Sequence, residues 1–157
     1  MGGIGVTEGW KFRQAVPGDA EWLADLKAAA MRPDLERLGY WDASWARARF
    51  LTSFVPANTQ VIVHDGVDAG CIAIRTEPDA WWLEHFYLAS SVQGHGVGGS
   101  VLAATLARCG PDRPIRLSMN RGSRVRPLYE RHGFRHVDND PNGVDLIFER
   151  DTTESRS

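Results

Sequence analysis

A chain of 157 residues, 43% hydrophobic and 24% charged, is long enough to bury one substantial core and has ordinary globular composition, which fits a single domain with an ordered core over about residues 11–150. Its formal net charge of −2, with Lys and Arg scattered along the chain, supplies no basic field for nucleic acid. No apolar stretch approaches the ~18 residues a membrane helix needs, and the N-terminus MGGIGVTEGW lacks the cationic and apolar regions of a leader. Position 6 is Val6, so the myristoylation pattern after Gly2 fails too. Cys71 and Cys109 show neither metal nor disulfide spacing, and reduced thiols in a cytoplasmic protein are the expectation.

Residues 11–16, KFRQAV, alternate as a short strand, and Pro17, Gly18 and Asp19 turn the chain and cap a helix through AEWLADLKAAAM. Pro33 restarts the chain into DLERLG, and DASWARARFLTSF forms a second helix after a cap at Asp42 or Ser44. TQVIVHDG and VDAGCIAIRTEP are strands joined by Asp65-Gly66, a hairpin signal. DAWWLEHFYLA is a further strand, followed by a Gly-rich loop and the helix GSVLAATLARC. PIRLSM is a buried strand, SRVRPLYERHGF a helix stopped by Gly133, and FRHVD and VDLIFER the last strands. DTTESRS reads as a frayed tail. The order β-α-α-β-β-β-α-β-α-β-β predicts an α/β (α+β) fold with a mixed sheet and helices on both faces.

The Gly-rich loop, Gln93-Gly94-His95-Gly96-Val97-Gly98-Gly99-Ser100, contains the G-x-G-x-x-G dinucleotide pattern. That pattern belongs in the first turn of a parallel βα unit, with an acidic residue ~20 positions on. Here the loop follows antiparallel strands, and the segment RPIRLSMN has no acid. A Walker loop fails as well, because no lysine precedes Ser100. What remains is a strand entering a helix through glycines, so that backbone N–H groups and the positive end of the helix dipole converge where an anion would sit. A tight packing turn is the plain alternative for the loop alone.

Gln93-x-x-Gly96-x-Gly98 resembles the Q/R-x-x-G-x-G/A pyrophosphate loop of the GNAT superfamily of N-acetyltransferases, and residues 128–134, LYERHGF, are similar to that family's L/F-Y-E-x-x-G-F segment. The element order over residues 11–150 matches as well. The resemblance implies a largely antiparallel mixed sheet of six to seven strands, with direct transfer of an acetyl group from acetyl-CoA to a primary amine of a small molecule. It implies that the pyrophosphate sits on Gln93, Gly94, His95, Gly96, Val97 and Gly98, that the pantetheine arm runs beside Leu88, and that Asn120 and Ser123 stand near it, Ser123 serving equally as a helix cap. Tyr129 is the implied acid for the departing thiolate. Glu84 on the fourth strand is the implied base, a structural ion pair being the equal alternative. By the period-2 rule Glu84 and His85 fall on opposite faces of that strand. Val125 and Pro127 depart from the family's usual pattern at the helix start. Other targets within the fold are a protein terminus or lysine; a non-catalytic acyl-CoA sensor is the third reading. Tyr40, Trp41 and Trp82 are weak acceptor-pocket candidates, an aromatic pocket for a cationic amine being the sharper account and core packing the plainer one. No metal is expected, since the histidines show no ligand spacing. The alternation in AWWLEHFYL leaves aromatic surface compatible with a homodimer.

Overall fold

The computed structural model of the protein describes residues 9–151; the stretch 1–8, read above for leader signals, and the tail 152–157 lie outside the described residues. Chain order is β1 (Trp10–Gln14), α1 (Ala20–Leu38), α2 (Ala43–Ser53), β2 (Thr59–His64), β3 (Val67–Glu77), β4 (Ala80–Leu88), α3 (Val97–Ala107), β5 (Ile115–Asn120), α4 (Arg126–Arg131), β6 (Arg135–Asn139) and β7 (Asp145–Arg150). The strands form a seven-stranded sheet in the order β1-β2-β3-β4-β5-β7-β6. Pairing is antiparallel at β1–β2, β2–β3, β5–β7 and β6–β7 and parallel at β4–β5, the mixed, largely antiparallel sheet expected. The chain divides into two compact units, one running through Ala73 and taking in His85–Val101, the other made of Ile74–Glu84 and the chain from Leu102.

In the first unit, Leu23 and Ala24 of α1, Phe50 of α2 and Cys71 of β3 form a fully buried cluster against which Trp22, Leu26, Phe54 and Tyr87 pack. Trp22 and Phe54 also cover Ala15, one residue past β1, and Val61 and Val63 of β2. Asp65 and Gly66 both have positive φ, 52° and 81°, so the β2–β3 hairpin turns as a type I′ should. Asp42 caps α2 by accepting from the Trp45 N–H at 3.1 Å.

Two expectations change. Pro33 does not restart the chain; α1 runs from Ala20 through Leu38 with the proline exposed on its surface. One lost backbone donor is outweighed by continued burial on the other side, Leu35 being 1% exposed, and the helix ends only at Gly39, whose φ of 81° is left-handed. Asp19 does not cap α1 with its side chain. Its buried carboxylate instead accepts from the Val16 N–H at 2.9 Å, the Trp22 indole at 2.8 Å and the Arg13 guanidinium at 3.1 and 2.8 Å. These bonds, Arg13's above all, hold it well below the usual carboxylate range.

The second unit packs the inward residues of β5, Ile115, Leu117 and Met119, with Leu146 and Phe148 of β7. Tyr129 and Phe134 are also buried there, their rings edge-to-face at 5.7 Å. Trp81 of β4 donates its indole N–H to the Gly110 carbonyl at 3.1 Å, with the Arg113 guanidinium over its ring.

Gly70 of β3 leaves no room for a side chain. A Cβ at this position would stand 2.4 Å from the Tyr87 carbonyl oxygen and 3.2 Å from the Leu88 Cα, and both obstacles are backbone. Gly70→Ala is therefore expected to cost about 2 kcal/mol or more. Asp19→Ala, which orphans the Trp22 and Val16 donors and removes Arg13's buried partner, is expected to cost about 3 kcal/mol. Urea unfolding of both variants checks these values; a midpoint equal to that of the parent protein in either case would contradict the corresponding contact.

Candidate functional site

The Gly-rich loop lies in the first unit, between the end of β4 and α3. Gly94 and Gly96 have φ of 83° and 80°, left-handed values that side chains rarely adopt, while a Cβ at either would meet nothing within 4 Å. The glycines are thus demanded by backbone conformation, and the space beside them is open. Val97, 1% exposed, anchors the first turn of α3, and Ser100 closes that turn by donating its N–H to the Gly96 carbonyl at 3.2 Å. The N–H groups of the first turn have no partner within the helix itself and can serve an external acceptor. Gln93 folds back to donate its side-chain amide to the Leu88 carbonyl at 2.9 Å, tying the loop to the last residue of β4. His95 is exposed within the loop. The Ala89 N–H donates to the Ala69 carbonyl at 2.8 Å, so the exit of β4 is fixed one residue past Leu88 and one before Gly70.

β4 itself is irregular. His85 has φ of +50° in mid-strand, so the alternation that put Glu84 and His85 on opposite faces does not carry through it. The His85 carbonyl still accepts, from the Cys71 thiol at 3.0 Å. Its ring is edge-on to Phe50 at 4.8 Å, with Nε2 3.0 Å from the Ser53 hydroxyl. Burial first, and then the charge of Lys27, lower its pKa to about 4, so the ring is neutral near pH 7. Burial likewise pushes the Cys71 thiol up to about 12, an inert core thiol.

In the second unit, Glu84 accepts from Arg75 Nε at 3.1 Å; Arg75 also bonds Glu77 and lies 5.5 Å over the Trp82 ring. The parallel register of β4 with β5 runs through Trp81↔Ile115 and Trp82↔Arg116. Tyr129 sits on α4 with 7% exposure, and burial pushes its phenol above the ordinary value. Asn120 ends β5, half-buried, opposite Asp145 of β7.

Ser123 is not the cap of α4. The helix begins at Arg126, with Val125 in the cap position and Pro127 in the first turn, where proline costs no hydrogen bond. The Ser123 hydroxyl accepts from the Val125 N–H at 3.3 Å, a turn of its own that precedes the helix.

The acceptor candidates divide between the units. Tyr40, in the first, is 55% exposed, and Trp41 has the Arg32 guanidinium 5.3 Å over its ring. Trp82, in the second, has Arg75. A face of each of these indoles therefore already carries a cation belonging to the chain. Sequence reasoning missed Lys27, which is only 6% exposed on α1, the left-handed His85, its partner Ser53, and Gly70. A lysine three residues beyond Ala24 on the apolar side of α1 was the one available signal for the first of these. Among the described residues no group of three or more His, Cys, Asp or Glu side chains is arranged to hold a metal ion, and no helix is long and apolar enough to cross a membrane.

Known proteins share this architecture. A PaiA N-acetyltransferase from Thermoplasma acidophilum, crystallised with coenzyme A, superposes with a TM-score of 0.73 at 20% identity, over 90% of this chain and 98% of that one. An acetyltransferase from Thermus thermophilus gives a TM-score of 0.69 at 16% identity, over 92% and 97% of the two chains. N-acetylglutamate synthase from Neisseria gonorrhoeae, solved with coenzyme A and N-acetyl-glutamate, gives 0.61 at 19% identity, with 90% of this chain covering 34% of that one. No curated protein sequence matches. The family model for the acetyltransferase (GNAT) domain matches residues 56–136, over half of the chain and including β4, the Gly-rich loop, α3, β5 and α4. The chain belongs to the GNAT acetyltransferase family.

Proposed function

We propose that the protein transfers an acetyl group from acetyl-CoA directly to a primary amine of a small molecule. The observation that carries this reading is the loop from Gln93 to Gly98, bent by two left-handed glycines into the N-terminus of α3 beside open space. Backbone donors and a helix dipole at one point suit the pyrophosphate of the cofactor. Crystallisation of the Thermoplasma and Neisseria structures with coenzyme A supports the same reading. The pantetheine arm, an amide chain, pairs with the backbone at Leu88, and Asn120 is a secondary contact. Ser123, whose hydroxyl already serves the Val125 N–H, contributes less.

The chemistry then needs a neutral amine and a protonated leaving group. The amine nitrogen attacks the thioester carbonyl, the carbon–sulfur bond breaks, and the thiolate takes a proton. Tyr129 is the donor we assign, a buried phenol. The proton shed by the amine goes to Glu84, whose carboxylate is steadied by Arg75. Tyr40 and Trp41 on the first unit, and Trp82 on the second, are weaker candidates for contact with the acceptor.

Tyr129→Phe removes the donor while keeping the ring. We expect kcat, read as thiol release with the best acceptor, to fall about a hundredfold or more, with acetyl-CoA affinity unchanged. Full turnover by this variant would remove Tyr129 from the acid role.

A further inference from the structure

Side chains from three elements of the first unit gather around His85, apart from the Gly-rich loop. From α2 come Ser53, at 3.0 Å from His85 Nε2, and Phe50, edge-on to the ring. One turn earlier on α2 is Arg49, whose carbonyl accepts from the Ser53 hydroxyl at 2.8 Å. Since that hydroxyl has a single proton, the ring must supply the hydrogen in the His85–Ser53 contact, and His85 Nδ1 keeps its lone pair. From α1 comes Lys27, 6% exposed, with Nζ 5.9 Å from the centroid of Tyr87, whose ring is 6.3 Å from that of His85.

The cluster is rich in positive charge. Lys27 and Arg49 both act on the imidazole and favour its neutral form. Arg49 is exposed, lies 5.0 Å over the Trp45 ring and forms no ion pair with a described residue. Two cations on converging elements form a receptor for an anion, while the Ser53 hydroxyl orients the imidazole and leaves His85 Nδ1 to accept from an amine.

We propose that Arg49, Lys27, Ser53 and His85 form the acceptor site and that the acceptor is a primary amine bearing a carboxylate, an amino acid in chemical class. Arg49 takes the carboxylate in its planar fork, Lys27 adds positive potential, and His85 Nδ1 accepts from the amine. This rests on the acetyl-transfer reading above and replaces a cation-binding aromatic pocket with an anion-binding one, in line with the guanidinium groups that already cover Trp41, Trp45 and Trp82.

The test titrates the protein, saturated with coenzyme A, by calorimetry with the proteinogenic L-amino acids, β-alanine, γ-aminobutyrate and spermidine, then with the methyl ester of each acid that binds. Thiol release from acetyl-CoA is read in parallel. At least one amino acid should bind saturably, with its ester weaker by about tenfold or more. Arg49→Met should bring acid and ester within about twofold of each other by raising the KM of the acid, with kcat and acetyl-CoA affinity little changed, and Arg49→Lys should recover part of the preference. The inference falls if no acid binds, if the ester or spermidine is used as well as the acid, or if Arg49→Met keeps the parent's ratio. Binding of an acid without thiol release would instead count against the transfer reading while leaving the anion site standing, so the two failures are distinguishable.

Discussion

The close approach of Gly70 to the Tyr87 carbonyl is the constraint on which the rest depends. A Cβ at Gly70 would stand 2.4 Å from that oxygen, so β3 can run against β4 at that point only with hydrogen as the side chain. From that contact the neighbouring geometry follows: the Ala89 N–H reaches the Ala69 carbonyl, Leu88 ends the strand, and Gln93 folds back onto the Leu88 carbonyl before the two left-handed glycines lead into α3. A second backbone peculiarity, the left-handed His85, lies three residues earlier and is held by Cys71, Phe50 and Ser53. A non-glycine residue in this conformation costs about 1–2 kcal/mol, and the surrounding contacts offset it. Strain retained in a strand that also carries Glu84 and Leu88 fits a site rather than a packing accident.

Burial does much of the electrostatic work. Desolvation raises the phenol of Tyr129 and lowers the imidazole of His85, which leaves both neutral near pH 7, the shift deciding it for His85. For Tyr129 neutrality means a proton to give; for His85 it means a lone pair to offer. Several charged groups, by contrast, are held in pairs: Asp19 by Arg13, Glu84 by Arg75, Glu149 by Arg116. Arg49 is exposed, stacked on Trp45 and paired with no carboxylate among the described residues.

Much of this was legible in the sequence. Asp65-Gly66 announced a type I′ hairpin because few other residue pairs accept two positive φ values in succession. Gly94 and Gly96 marked the loop for the same reason, and Tyr129 was marked by its neighbours in LYERHGF. What stayed hidden depends on distant partners. Pro33 reads as a break locally, yet Leu35 is buried two residues on and the helix continues. Ser123 has the chemistry of a cap but bonds Val125 in a separate turn, because Pro127 fixes the helix start further along. Asp19 looked like a cap and became the acceptor for three separate donors. Period-2 reasoning could not foresee the left-handed His85, since histidine takes that conformation more often than most residues but still rarely, and Gly70 differs from other glycines only by what stands opposite it.

The central claim is that the loop from Gln93 to Gly98 holds the pyrophosphate of a coenzyme A thioester. Calorimetric titration of the purified protein with acetyl-CoA, run beside NADH under identical conditions, tests it most directly. Saturable binding of acetyl-CoA at one site per chain, with no heat from NADH, is the predicted result. Binding of NADH without acetyl-CoA would mean that Gly94 to Gly99 serves as the dinucleotide fingerprint its spacing spells, and would contradict the account of the loop and of the residues assigned around it.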